Sequence, residues 1–136
     1  MGNFSSIDIS ASGLSAQRTK LDAIANNIAN ATTTRTNKGG PYKRQEVVFS
    51  QHLGDLASGE GGVTVAEVKE SDAPPKMVYD PSHPDAGPDG TVAMPNVNVV
   101  EEMVDLISAT RAYEANVTAI TAARSMASKA LEIGRG

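Results

Sequence analysis

The residues of this chain best suited to chemistry lie in one short run, Asp80-Pro81-Ser82-His83-Pro84-Asp85, with Asp89 close by. A histidine among carboxylates is the raw material of a metal site or of general acid–base catalysis. Either use needs a rigid frame and a second histidine or a glutamate converging on the same point. The other histidine, His52, is remote in sequence, and a proline-stiffened turn whose aspartates cap backbone amides accounts for the same residues. We therefore assign no catalytic residue, no metal ligand and no cofactor, and read the chain as a non-enzyme.

A second cluster, Arg35, Lys38, Lys43 and Arg44, surrounds the Gly39-Gly40-Pro41 break. Phosphate binding relies on such cations, yet the chain as a whole carries a net charge of -4 and the cluster has only Tyr42 as an interleaved aromatic. Nucleic acid is not an expected partner. A solvated basic loop, or one that meets an acidic protein surface, is the expectation. Cysteine is absent, which excludes disulfides and thiolate metal sites. No apolar run approaches 18 residues, so no membrane span is expected, and Met1 to Asp8 lacks the basic and apolar regions of a Sec signal peptide.

The elements that must position these residues are two long helices at either end of a Gly-, Pro- and Val-rich middle. Ile7, Leu14, Leu21 and Ile28 recur every seven residues. Met103, Leu106, Thr110, Tyr113, Val117, Ile120, Ala127 and Leu131 follow the alternating three-and-four spacing of a heptad seam. The first helix is expected to start at a Ser5–Asp8 capping box and end near Asn30; the last is expected over 97–133, with Asn98 as its cap and Gly134 as a left-handed stop. Between them the sequence predicts strands at Tyr42–Ser50 and Val63–Val68, a turn-rich connection from Gln51 to Gly62, a short edge strand at Lys76–Tyr79, and loop from Asp80 to Pro95. The fold class is α+β, mainly helical: paired terminal helices, coiled-coil-like, with a small β-rich middle lobe. Residues 1–34 and 96–136 would form one discontinuous helical domain and 35–95 the lobe. Aromatic residues are 4% of the chain, too few for a thick core, so a slender molecule is expected.

The faces opposite the seams hold little charge. In the first helix they are Ser12, Ser15, Ala16, Thr19, Asp22, Ala23, Asn26, Ala29 and Asn30; in the last, Ser108, Arg111, Ala112, Ala115, Thr118, Ala119, Ala122, Ser125 and Met126. A helix face written for water carries Lys, Glu and Arg. These faces are expected to meet neighbouring subunits, with Asn26, Asn27, Asn30, Ala112, Ala115, Asn116 and Ala119 as contact residues. Asn26, Asn27 and Asn30 together cost the helix about 1.5 to 2 kcal/mol relative to Ala, a local penalty that calls for a functional compensation. Ala23→Glu and Ala115→Glu should then spare the monomer and block assembly, and the isolated chain should have mobile termini. A client-embracing helical hairpin would instead show a charge-rich outer surface and a short connection.

Ala25-Asn26-Asn27-Ile28-Ala29-Asn30-Ala31-Thr32 resembles the N-terminal signature of bacterial flagellar axial proteins, the rod, hook and hook-associated family. The run from Pro95 to Ile107, continuing through Arg111-Ala112-Tyr113-Glu114-Ala115-Asn116, is similar to the C-terminal signature of the same family. Pro41-Tyr42-Lys43-Arg44-Gln45, Val78 to Ala86 and Met94-Pro95-Asn96-Val97-Asn98 are similar to the middle of its short proximal-rod members. One departure is Gly90-Thr91-Val92, where the family more often places Tyr after the Gly. The resemblance implies a structural subunit of the basal-body rod that polymerises with itself and with other rod proteins into the proximal drive shaft and export-channel wall. It also implies passage through the flagellar type III export apparatus to the periplasm without a Sec signal, with ring proteins around the rod as candidate partners.

Overall fold

The computed structural model describes residues 2–53 and 61–135. Its elements run α1 (Gly2–Ala29), β1 (Gln45–Leu53), β2 (Gly61–Glu70), β3 (Lys76–Tyr79), β4 (Thr91–Met94) and α2 (Val99–Gly134). At 1.5 Å per residue the two helices are about 42 and 54 Å long, and they form the long axis of the molecule.

The helices pair antiparallel. Asn27 bonds Glu102, and Gly13 lies against Asn116, so fourteen residues back along α1 correspond to fourteen forward along α2. On α2 the covered positions are Glu102, Leu106, Ala109, Tyr113, Asn116, Ile120, Ala123 and Ala127, spaced alternately four and three. This seam differs from the one read in the sequence. Leu106, Tyr113, Ile120 and Ala127 lie on it, but Met103, Val117 and Leu131 are 51%, 41% and 71% exposed, and Thr110 is exposed too. The physical reason is proximity: the inner positions are filled by Ala109, Asn116 and Ala123, whose small side chains let the backbones approach, whereas Met, Thr and Val there would hold them apart. On α1, Ile7, Leu14, Leu21 and Ile28 are half-buried, and the fully covered residues are Ala16, Ala23, Ile24 and Asn27.

Helical spacing alone puts Ala16 and Ala23 on an outward face. They are buried because α1 has neighbours on two sides: besides α2, it packs against both strands of the β1–β2 hairpin. The Val63 amide donates to Ser12 Oγ at 3.1 Å, and Ser12 Oγ in turn donates to the Ile9 carbonyl. The Lys20 ammonium lies 5.9 Å from the centroid of the Phe49 ring. In the hairpin, Val47 pairs with Val68, Phe49 with Val65 and Gln51 with Val63. A register shift beside Val48 and Phe49 leaves Ala66 as the extra residue of a bulge. That bulge explains the uneven spacing of Val63, Val65 and Val68, which strict alternation would put on two faces.

β1 starts later than read, at Gln45, because Tyr42 and Arg44 turn inward to the helices. Most of the connection placed between Gln51 and Gly62 falls outside the described residues. Thr91–Met94, expected to be loop, is a strand: β4 pairs antiparallel with β3, Tyr79 opposite Thr91 and Lys76 opposite Met94. β4 was invisible as a strand because four residues between Gly90 and Pro95 carry no alternation of their own. Its turn relies on Gly90 at φ 74°, where a Cβ would come within 2.8 Å of the Tyr79 ring.

The helix ends also differ in part. α1 continues back through Ser5, so Ser5 is not its cap. Asn98 caps α2 as expected, accepting from the Val100 amide at 3.2 Å. Gly134 remains within the helix, and the C-cap is Arg135 in right-handed conformation. Nothing there needs a left-handed residue.

Candidate functional site: a polar clamp and the open face of α2

The two signature segments meet at Asn27. Its side chain has two donor and two acceptor sites, and all four are used. Nδ2 donates to the Gln45 carbonyl at 2.9 Å and to Glu102 Oε2 at 3.1 Å; Oδ1 accepts from the Gln45 amide at 2.8 Å and the Tyr42 hydroxyl at 2.9 Å. Asn27 and Glu102 are each 1% exposed. One amide therefore ties α1 to the start of β1 and to the first turn of α2.

Glu102 is completed by Arg44, whose Nε donates to Oε1 at 2.5 Å. Arg44 also pairs with Glu46 at 2.6 Å, and Asp105 Oδ2 lies 3.8 Å from its NH2. Burial works against the Arg44 charge, but the hydrogen bond and charge of Glu102, reinforced by Glu46, outweigh it and raise the guanidinium pKa. The Tyr42 hydroxyl is also raised, first by burial and then by the negative charges of Glu102 and Glu70. A buried carboxylate is tolerable here because its lone pairs meet a guanidinium and an amide.

This geometry revises several expectations. Asn27, read as a subunit contact, is an internal fastener with no side-chain surface left to offer. Asn116, read likewise, sits on the helix seam, its Nδ2 3.1 Å from where a Cβ on Gly13 would lie. The basic cluster is not a free patch: Arg35 pairs with Asp85 at 2.8 Å, Lys38 with Glu70 at 2.7 Å and Arg44 with Glu102. Asn26 is exposed, while Asn30 is half-buried and donates back to the Asn26 carbonyl at 2.9 Å, closing the end of α1. Ala115 and Ala119 are exposed on α2, and Ala112 is half-covered at the seam's edge.

The His83 run folds as a capped turn. The Ser82 amide and hydroxyl both donate to Asp80 Oδ1, at 3.1 and 2.6 Å, and hold that carboxyl below its usual range. The Asp85 amide donates to His83 Nδ1 at 3.0 Å, and Asp85 itself accepts from Thr34 Oγ1 at 2.7 Å and from Arg35. Asp89 is likewise lowered by the Thr91 hydroxyl and amide. Carboxylates committed to capping are poor proton donors. Among the described residues no group of three or more His, Cys, Asp or Glu could hold a metal ion, and His52 lies outside the described side chains.

Sequence reasoning missed the clamp. The available signal is that Asn27, a poor helix former, and Arg44 both fall within segments that carry the family resemblance.

What the open surface offers is α2. Val100, Met103, Val104 and Ile107 are 69%, 51%, 62% and 56% exposed, on the side away from α1. A helix pair with an uncovered apolar stripe of this kind marks a surface for association with another protein. Comparison with known proteins agrees. Residues 7–35 match the family model for flagella basal body rod proteins, and residues 89–133 match that for the C-terminal region of the flagellar basal body rod FlgEFG proteins. Over the whole of both chains, the sequence is 47% identical to the flagellar basal-body rod protein FlgC of Borreliella burgdorferi. It is 45% identical to that of Bacillus subtilis, over 99% of this chain and all of the relative, and 45% identical to that of Salmonella typhimurium, over 94% and 95%. The chain belongs to the FlgC family of flagellar basal-body rod proteins. It is a structural rod subunit and not an enzyme.

Proposed function

We propose that this subunit forms the proximal part of the rod by polymerising with copies of itself and with other rod proteins, α1 and α2 together making a stave of the channel wall. The observation that supports this most is the asymmetry of the helix pair. α1 packs against both α2 and the β1–β2 hairpin, whereas the back of α2 presents small or apolar residues, Ala115 and Ala119 among them, to its surroundings. Asn26, Ala112, Ala115 and Ala119 are the contact residues of this reading, with Asn30 at the rim. The location is the periplasmic basal body, reached through the flagellar type III export apparatus; among the described residues no helix is long and apolar enough to cross a membrane. Because the back of α2 is covered only in the polymer, the isolated chain should be less helical than the assembled one. Electron microscopy of basal bodies from a strain lacking the chain is the test. The expected result is loss of the rod and of everything distal to it; an intact rod would refute the proposal.

A further inference from the structure

Each of the two long helices carries a second stripe at alternating four-and-three spacing, on the side turned away from their common seam. On α1 it runs Ala11, Ser15, Arg18, Asp22, Ala25 and Ala29; on α2 it runs Val104, Ile107, Arg111, Glu114, Thr118 and Thr121. All of these residues are exposed, Val104 at 62% and Ile107 at 56%. Both stripes hold a cation and an acid at their middle. Among the described residues, Arg18, Asp22, Arg111 and Glu114 enter no ion pair.

Set antiparallel, the two stripes match at every level. Ala29 meets Val104 and Ala25 meets Ile107, so the smallest side chains of α1 lie against the largest of α2. Asp22 then meets Arg111, and Arg18 meets Glu114. Ser15 faces Thr118 and Ala11 faces Thr121, short side chains that let the backbones stay close. A single offset satisfies all these levels, over about 27 Å of helix. The direction is also determined. On both helices the cation precedes the acid, so a parallel approach unites at most one of the two ion pairs. Exposed ion pairs add little affinity, but they select orientation and register.

One copy cannot make this contact, because its two stripes face opposite ways. We infer that the 11–29 stripe of α1 docks on the 104–121 stripe of α2 in a second copy of this chain. The inference rests on the rod reading and adds to it which faces of two copies meet, and in what register. Within one copy the Asn27–Glu102 and Gly13–Asn116 levels put Arg18 opposite Arg111; between copies Arg18 stands opposite Glu114, three residues further on. Successive copies therefore keep one polarity and step about 5 Å along the helix axis, close to one turn. Such a contact is heterologous and repeats.

The chain has no cysteine of its own, so disulfide trapping reads the register directly. Cells that carry Ser15→Cys and Thr118→Cys in one chain are oxidised, and their basal bodies are run on non-reducing gels. The expected product contains this chain alone, at twice its mass or more, with residues 15 and 118 joined in its peptide map. Ser15→Cys combined with Ile107→Cys, about 16 Å out of register, should give less than a tenth as much. No such product from basal bodies that contain the variant, or a link from either cysteine to a different rod protein, would overturn the inference and leave the rod assignment intact. Basal bodies that lack the chain in the parent strain would instead refute the rod reading itself. Charge exchange decides the matter without a cross-link. Arg18→Glu and Glu114→Arg should each reduce swimming-halo expansion at least threefold while the helical spectrum of the purified chain stays unchanged, and the double variant should recover most of the loss. A double variant no better than either single one would overturn the contact.

Discussion

Asn27 and Glu102 share a buried 3.1 Å hydrogen bond across 75 positions of sequence. The bond joins the two segments that mark the family, and it explains why an asparagine is kept in α1 despite its poor helix propensity. Asn27→Ala strands the Glu102 oxygen, the Gln45 backbone groups and the Tyr42 hydroxyl at once. The expected cost is about 2 to 4 kcal/mol, from several buried groups left unpaired. Asn27→Asp should be at least as damaging, because it sets a second carboxylate beside Glu102. Urea unfolding followed by circular dichroism measures both. A midpoint equal to that of the parent chain would show the clamp to be dispensable.

The clamp also has a pH signature. Tyr42 has a raised pKa in the fold, so the folded state holds its proton more tightly than the unfolded chain does. Its contribution is complete below the ordinary tyrosine value near 10 and is lost as pH climbs through the higher folded value. Ultraviolet titration should show a late tyrosine phase that is absent in Tyr42→Phe.

Gly13 lets α1 sit close against the Asn116 side chain of α2. A methyl there would meet Asn116 Nδ2 at 3.1 Å, tighter than ordinary contact. Gly13→Ala alone gains helix propensity and loses packing, whereas Gly13→Ala made in an Asn116→Ala background should raise stability by about 1 kcal/mol, the Gly-to-Ala propensity difference. Gly13→Leu should part the helices and destabilise the chain. Thermal unfolding of the set reads the order.

Ala23 and Ala115 separate folding from assembly. Ala23 is 5% exposed, so Ala23→Glu buries an unpaired charge and should unfold the chain itself, contrary to what its place on the helical wheel implies. Ala115 is exposed, so Ala115→Glu should leave the helical spectrum intact and stop motility. The pair needs only circular dichroism and a swimming assay.

Much of the fold was legible in the sequence because periodicity and capping act locally. Asn98, the Lys76–Tyr79 strand and the extent of α2 follow from nearby residues alone. What escaped depends on partners far along the chain. Ala16 and Ala23 look like an outward face until the hairpin is laid across them. Met103 lies off the seam and Ala109 on it, a choice made by which face of α2 the first helix covers and not by local spacing. The clamp escaped for the same reason, its members lying at 27, 42 to 45 and 102. The exposure of Ala115 and Ala119 on the back of α2 agrees with their place opposite the seam, since nothing among the described residues covers them.

The spread of those clamp residues also sets an order in time. As the chain is made from its first residue onward, α1 and the β1–β2 hairpin come into being long before Glu102 exists, and Asn27 then has no carboxylate to hold. Closing a loop of 75 residues is a late, entropically costly event, and the short-range elements cannot substitute for it. The molecule thus stays an open thread until its last third is present, and takes its final shape only when the whole chain is available in one place.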